Sequence, residues 1–143
     1  MTGLGTPGLE DRTAIIEALA AFAAATDARD WAAITALLSE DCHAYGVRGP
    51  EATVAQMQAH LGGVGPTQHL LGNHRVTVTG DTAVSLTYGR VHHVGAGPME
   101  GSFFECLGDY TDHWVRTDAG WLITRRRFDI RISLGDWAVL RPA

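Results

Sequence analysis

The chain has 143 residues, of which 45% are hydrophobic and 19% are charged, and its formal net charge is -5 at pH 7. This composition is that of one folded domain over residues 1–143 and excludes disordered and fibrous proteins. The acidic balance argues against a nucleic-acid partner, and no apolar run approaches the roughly 20 residues that span a bilayer. We therefore expect a cytoplasmic protein with no membrane partner.

Three helices are predicted in the first half of the chain. Residues 1–9 are rich in Gly, Thr and Pro and predict a loose lead-in. Apolar residues recur at helical spacing over 11–27, and this pattern predicts an amphipathic helix. Asp30 predicts the N-cap of a second, shorter helix, 42–47 predicts a short strand, and 51–61 predicts a third helix that stops at a glycine pair.

Extended segments dominate the second half. Alternating and β-branched residues predict four strands over 67–79, 82–94, about 101–117 and 121–134. Turn residues separate them: Gly80-Asp81, Gly95-Ala96-Gly97-Pro98 and Asp118-Ala119-Gly120. Helices followed by a mostly antiparallel sheet form an α+β arrangement, because the apolar helix stripes must cover one face of the sheet. We predict a cone-shaped roll in which three N-terminal helices pack on a curved sheet and enclose a pocket.

Asp27 and His69 are the candidate acid–base pair. Asp27 ends the first predicted helix, where the helix dipole disfavours a negative charge. An aspartate at this unfavourable position suggests that its carboxylate has a role other than stabilising the helix. Its spacing places it on the flank of the apolar stripe, from which it can turn inward. A carboxylate that orients an imidazole abstracts protons at neutral pH, because it fixes the ring tautomer and stabilises the imidazolium. The residues alone leave two alternatives open: Asp27 in an exposed turn, and His69 as a packing histidine.

The doublet His92-His93 places one imidazole on each face of its strand, because strand side chains alternate. Mostly small residues share the parity of His93: Ala83, Ser85, Thr87, Gly89 and Val91. This face suits a cavity wall, so we predict that His93 points inward. The alternative is that the larger residues of opposite parity face the core: Val84, Leu86 and Tyr88.

Tyr45 and His43 share one face of the predicted short strand, where the Tyr45 phenol could hold a carbonyl or a water. The alternative is an aromatic that only packs. The chain has neither zinc-type ligand spacing nor a Gly-x-Ser-x-Gly elbow, so we expect no metal site and no serine nucleophile. Cys42 and Cys106 are far apart in sequence, and we expect both to be reduced packing residues.

With these residues, the chain resembles the SnoaL-like superfamily of the nuclear transport factor 2 fold, and most closely the scytalone dehydratases. The resemblance extends from about Asp11 to Trp137. The matching blocks are Asp27-Ala28-Arg29-Asp30-Trp31, Thr67-Gln68-His69 followed by Gly72, Arg90-Val91-His92-His93, His113-Trp114 before Gly120-Trp121, and Asp129-Ile130-Arg131.

The resemblance implies an elimination that uses neither a cofactor nor a metal. Asp27 and His69 match the family's aspartate and histidine. His93 matches a second pocket histidine, and Tyr45 matches a tyrosine that holds a water against the substrate carbonyl. His69 would remove the proton α to a carbonyl and, once protonated, assist the departure of hydroxide.

The implied substrate is a small hydroxylated carbonyl compound of polyketide-like chemistry. Its predicted contacts are Phe22, His43, Val91, Tyr110, Thr111 and Phe128. Two departures from the fungal dehydratase concern substrate identity. Thr26 stands where that enzyme has a tyrosine before its aspartate, and Asp109 to Thr111 replace a serine-asparagine pair.

Other functions remain open within the same superfamily. A polyketide cyclase or an isomerase would use the same pocket. A non-catalytic binding or assembly module would instead use the outer sheet as a partner surface, with Trp121, Arg125 and Arg127 as contributors. The fold also implies a homodimer or homotrimer, and residues 137–140 are a candidate lid.

Overall fold

The computed structural model describes residues 8–140. Of the lead-in predicted for 1–9, residues 1–7 lie outside the described residues, and Leu9 already begins a helix. The elements follow in this order: α1 Leu9–Ala28, α2 Trp31–Thr35, β1 Leu38–Ala44, β2 Val47–Arg48, α3 Pro50–Leu61, β3 Thr67–Thr79, β4 Thr82–Val94, a 3₁₀ turn Gly97–Met99, β5 Phe103–Thr117, β6 Gly120–Gly135, and a second 3₁₀ turn Trp137–Leu140.

The strands form one sheet in the order β2-β1-β6-β5-β4-β3. Neighbours are antiparallel except β1 and β6, which run parallel. The sheet is open, with β2 and β3 at its edges, and the helices cover one face. The predicted α+β roll is confirmed, and both β3 and β4 have the predicted bounds because turn residues mark both ends of each strand.

The α1 stripe provides much of the main core. Ile15, Leu19 and Phe22 are buried against Trp114 and Ile123 of the sheet. Alternation in β4 sends Ala83, Ser85, Thr87, Val91 and His93 to this covered face and leaves Val84, Leu86 and Tyr88 exposed. The prediction that His93 points inward is therefore confirmed.

Tyr45 and Gly46 correct the predicted strand 42–47. Their φ angles are 52° and 80°, and two consecutive left-handed residues form the tight turn of a hairpin. The chain therefore folds back at Tyr45, with Ala44 paired to Val47. Strand β1 begins at Leu38, before the predicted start at residue 42, and α2 ends at Thr35.

Trp121 corrects the predicted partner surface. Its indole is buried in the main core, and Nε1 donates to Asp11 Oδ1 at 3.2 Å. Parity at the start of β6 points it toward α1, so it contributes nothing to the outer face.

Cys42 and Cys106 are buried free thiols. None of the helices within residues 8–140 is long and apolar enough to cross a membrane.

Candidate active site

Asp27 and His69 are in direct contact. Asp27 Oδ1 lies 2.7 Å from His69 Nδ1, and Asp27 Oδ2 accepts from the His69 backbone N–H at 3.0 Å. The carboxylate thus binds one residue twice, through its ring and its main chain. The exposed fractions of the side chains are 10% for His69 and 23% for Asp27, so the contact is mostly buried but still reached by solvent.

The end of α1 and the start of β3 create this contact. Arg29 adopts a left-handed conformation, with φ of 57°, and ends the helix just after Asp27. Its side chain then crosses to β3, where Nη1 donates to Thr67 Oγ1 at 2.8 Å and Nη2 donates to the Gly65 carbonyl at 2.9 Å. Arg29 therefore ties the helix end to the strand on which His69 lies.

The Asp27 carboxylate has three donors, all from β3. The third is the Thr67 hydroxyl, at 2.8 Å from Oδ1. Partial burial by itself would raise the pKa of Asp27, but the hydrogen bonds from the His69 ring and amide, the imidazolium charge and the Thr67 hydroxyl hold it below its usual value. Asp27 therefore remains an anion at neutral pH, which fixes Nδ1 of His69 as the protonated nitrogen.

His69 lines a cavity of about 310 Å³. Because Nδ1 faces Asp27, Nε2 carries the lone pair in the neutral ring. Sheet residues that also line the cavity are Val91, His93, Phe104, Cys106, Tyr110, Phe128 and Ile130. Most of these side chains are apolar or aromatic, so the imidazole lies in a largely apolar wall.

His93 is the second cavity histidine. It is 6% exposed, and its Nδ1 lies 2.9 Å from the Phe104 carbonyl. A carbonyl only accepts, so Nδ1 carries the proton and Nε2 again has the free lone pair. Burial lowers the pKa of His93, although the Phe104 carbonyl opposes this, and the nearby charges of His69, His92 and Arg29 lower it further. His93 therefore remains a neutral imidazole.

Tyr45 lines the cavity from the hairpin turn. Burial raises the pKa of its phenol, and the Arg126 guanidinium acts in the opposite direction. Tyr45 thus remains a neutral hydroxyl that can donate to a carbonyl or to a water.

A buried ion pair lies behind Tyr45. Arg126 Nε donates to Asp112 Oδ1 at 2.9 Å, and both side chains are almost fully buried. The guanidinium carbon also lies 4.2 Å from the ring centres of Phe22 and Tyr110. Arg126 thereby brings one fixed positive charge close to the aromatic wall.

Tyr110 and Phe128 form this aromatic wall, with ring centres 4.3 Å apart. Two glycines leave space for the rings: a Cβ at Gly89 would lie 2.5 Å from the Tyr110 ring, and one at Gly108 would lie 2.8 Å from the Phe128 ring. Three of the residues predicted to contact substrate, Val91, Tyr110 and Phe128, line the cavity; their contact with substrate stays a prediction.

Three predicted contact residues lie elsewhere, which corrects their expected position. His43 is exposed on β1, and its Nε2 accepts from Arg48 Nε at 3.1 Å, because the turn at Tyr45 separates the two side chains. Thr111 has outward parity on β5 and borders Arg127 and Asp129 on the outer face. Phe22 packs in the core beneath Arg126 and does not reach the cavity.

Helix α3 supplies a cavity wall that the sequence did not reveal. Gln56, Met57, His60 and Leu61 line the cavity, and their spacing is ordinary for a helix that packs on a sheet. Thr26 is also in the wall, although its hydroxyl is bonded to the Phe22 carbonyl at 2.8 Å. Thr67 and Arg29 both stand in blocks that match the family, but neither block predicts the contact between the two side chains.

The candidate lid residues lie beside the cavity. Leu140 lines it, Val139 is buried beneath, and the Trp137 ring lies 4.3 Å from that of Phe104.

Within residues 8–140, no three His, Cys, Asp or Glu side chains lie together as a metal ion requires. The arrangement can therefore move a proton between a bound molecule and His69, next to a neutral phenol and a neutral imidazole.

A family model, that of the SnoaL-like domain, matches residues 7–127 of the chain. No curated protein matches. A solved structure from Novosphingobium aromaticivorans, provisionally named an aromatic ring hydroxylase, is 26% identical with a TM-score of 0.83, and the match covers 93% of this chain and 98% of that chain.

Two less similar structures share the fold. A protein provisionally named scytalone dehydratase, from the same organism, is 20% identical with a TM-score of 0.81, covering 89% of this chain and 88% of its own. A hexachlorocyclohexane dehydrochlorinase, LinA-type3 from Novosphingobium barchaimii, is 16% identical with a TM-score of 0.77, covering 89% and 90%.

Proposed function

Because the chain belongs to the SnoaL-like domain family, we propose that it is a cofactor-independent lyase of the dehydratase type. The substrate is a small hydroxylated carbonyl compound of polyketide-like chemistry. The observation that carries the proposal is the 2.7 Å contact between Asp27 and His69 in the wall of a mostly apolar cavity. A structural histidine has no need of a shielded carboxylate partner and an accessible Nε2.

The proposed reaction has two proton transfers on one imidazole. His69 Nε2 removes the proton α to the carbonyl, and the electrons of the broken C–H bond form an enolate. The Tyr45 phenol stabilises the oxyanion through a water. The enolate then collapses to a C=C bond as the β C–O bond breaks, and protonated His69 gives its proton to the departing hydroxide.

Two structural neighbours support an elimination. One is named for a dehydration and one for a dehydrochlorination, and both reactions remove a proton and a leaving group from adjacent carbons. A cavity of about 310 Å³ suits one or two fused rings rather than a polymer. A cyclase or isomerase would share the first proton transfer but would lose no water.

The test is to incubate the protein with hydroxylated ketones in deuterated water. Deuterium incorporation at the α carbon reports the first step, and loss of water from the product mass reports the second. We expect Asp27→Asn and His69→Asn each to lower turnover by about 10²- to 10⁴-fold. The control is His113→Asn, which changes an exposed histidine on the outer face. Unchanged turnover in His69→Asn would overturn the proposal.

We also propose that the outer sheet face joins copies of this chain into a homodimer or homotrimer. Leu70, Tyr88 and Ile132 are more than half exposed there, a large apolar area for a lone subunit. The charges among them are neutralised within the chain, since Arg131 binds Asp109 at 2.7 Å and Arg90 binds Glu105. A neutral apolar face suits a second copy of itself better than a charged partner.

A further inference from the structure

The Thr67 hydroxyl links Arg29 to the catalytic carboxylate. Thr67 Oγ1 lies 2.8 Å from Arg29 Nη1 and 2.8 Å from Asp27 Oδ1. A guanidinium only donates, so the hydroxyl must accept from Arg29. Its single hydrogen therefore points to Asp27, and the direction of both bonds is fixed without reference to any substrate.

The Thr67 hydroxyl and the His69 ring bind the same oxygen atom. Both Thr67 Oγ1 and His69 Nδ1 contact Asp27 Oδ1, at 2.8 Å and 2.7 Å, whereas Oδ2 takes only the His69 amide. Two donors on one oxygen share its negative charge, so the hydroxyl takes part of the charge that would otherwise stabilise the imidazolium. They also leave the carboxylate no freedom to rotate away from the ring.

We infer that Thr67 is a positioning residue: polarised by Arg29, it fixes the Asp27 carboxylate and limits the basicity that Asp27 gives to His69. The catalytic meaning of this inference rests on the proposed function. A general base is most efficient when its basicity matches the working pH. A restrained dyad would therefore release its proton to the leaving group more readily than an unrestrained one.

Arg29 is less informative than Thr67 as a test position. Besides Thr67, Arg29 binds the Gly65 and Thr26 carbonyls, both at 2.9 Å. Its replacement would loosen the helix end and the start of β3 together. Thr67 has a methyl group and a hydroxyl. Thr67→Val keeps the shape of the side chain and removes the hydroxyl, whereas Thr67→Ser keeps the hydroxyl and removes the methyl, so the two variants separate the hydrogen bond from the shape.

Other charged or titratable groups contact the Asp27–His69 pair or line its cavity, and the Thr67 variants replace none of them. From the elements around the cavity these are Asp27 and Arg29 at the end of α1, Tyr45 in the hairpin turn, His60 on α3, His93 on β4, and Cys106 and Tyr110 on β5. A change in His69 titration that appears with valine and disappears with serine therefore belongs to the hydroxyl.

The experiment is an NMR titration of the His69 ring nitrogens in the wild type, Thr67→Val and Thr67→Ser. We expect Thr67→Val to raise the pKa of His69 by about half a unit or more, and Thr67→Ser to restore the wild-type value. If the valine variant does not fold, Thr67→Ala makes the same comparison. A pKa that is unchanged or lower in a folded hydroxyl-free variant would overturn the inference.

This titration needs no substrate, so it is independent of turnover. If the pKa moves as expected but no hydroxylated ketone reacts, the positioning contact stands and the proposed function fails. If turnover is found, we expect Thr67→Val to lower kcat with little effect on KM, because the hydroxyl does not line the cavity.

Discussion

The two cavity histidines differ in the partner of their Nδ1 atoms. His69 faces a carboxylate at 2.7 Å and His93 faces the Phe104 carbonyl at 2.9 Å. A carboxylate stabilises an imidazolium strongly, whereas a carbonyl in a buried site does so weakly. One ring can therefore accept a proton while its neighbour remains uncharged, so the pair avoids two positive charges in one small cavity.

The buried neutral His93 makes stability depend on pH. Because its pKa is lowered in the folded protein, the unfolded chain binds a proton first, near the ordinary value of about 6.5. The free energy of unfolding should therefore fall as pH drops below about 6.5 and level off below the folded pKa.

Urea denaturation at pH 8 and pH 5 checks this dependence. We expect His93→Gln to lose less stability than the wild type between the two values, because its side chain cannot take up a proton. His113→Gln, on the exposed face of β5, should keep the wild-type difference. An equal pH dependence in all three proteins would contradict the assignment.

At the level of elements, the sequence predicted the features that local pattern determines, namely the bounds of strands and the face to which a strand residue points. Alternation in β4 was enough to place His93, and turn residues marked both ends of β3. The helix end at Asp27 and the strand start before His69 were predicted from local pattern, but local pattern left the contact between the two residues open, and the resemblance to the SnoaL-like superfamily favoured it.

The misplaced residues depended on geometry that pattern does not encode. Tyr45 has a left-handed φ although it is not glycine, and no local pattern predicts the turn that ends the strand there and separates Tyr45 from His43. Thr111 lies in a segment that departs from the family pattern, and alternation along β5 places it on the face opposite to Tyr110. The α3 wall depended on where a helix settles on the sheet, and tertiary packing alone decides that.

The 3₁₀ turn Trp137–Leu140 has a testable structural role. Val139 is 2% exposed and packs with Val91, Phe104 and Cys106. We expect Val139→Ala to lower the free energy of unfolding by about 2 kcal/mol, from lost burial and an unfilled space. Leu140→Ala should cost less although it removes more carbon atoms, since Leu140 borders an existing cavity. Urea denaturation measures both, and the reverse order would show that this turn does not anchor the cavity's end.

At the scale of the whole molecule, the outer face predicts association. Leu70 is 66% and Ile132 is 55% exposed in the single chain. We expect the wild type to sediment as a dimer or trimer, and Ile132→Asp to shift it to the monomer, because a buried unpaired carboxylate is costly. Leu9→Asp, on an exposed residue at the start of α1, should leave the mass unchanged. A wild type that sediments as a monomer would contradict the proposed interface.

The edge position of β3 gives the candidate dyad a second consequence. Among the described residues, strand β3 pairs only with β4, so backbone groups on its other side would offer a template for another chain to add as a strand. Asp27 occupies the His69 amide on that side, and Arg12 from α1 reaches the His74 carbonyl at 3.3 Å. The Asp27 carboxylate therefore occupies a backbone donor on the free edge of β3 that would otherwise be open to another strand, besides contacting the ring of the candidate base His69.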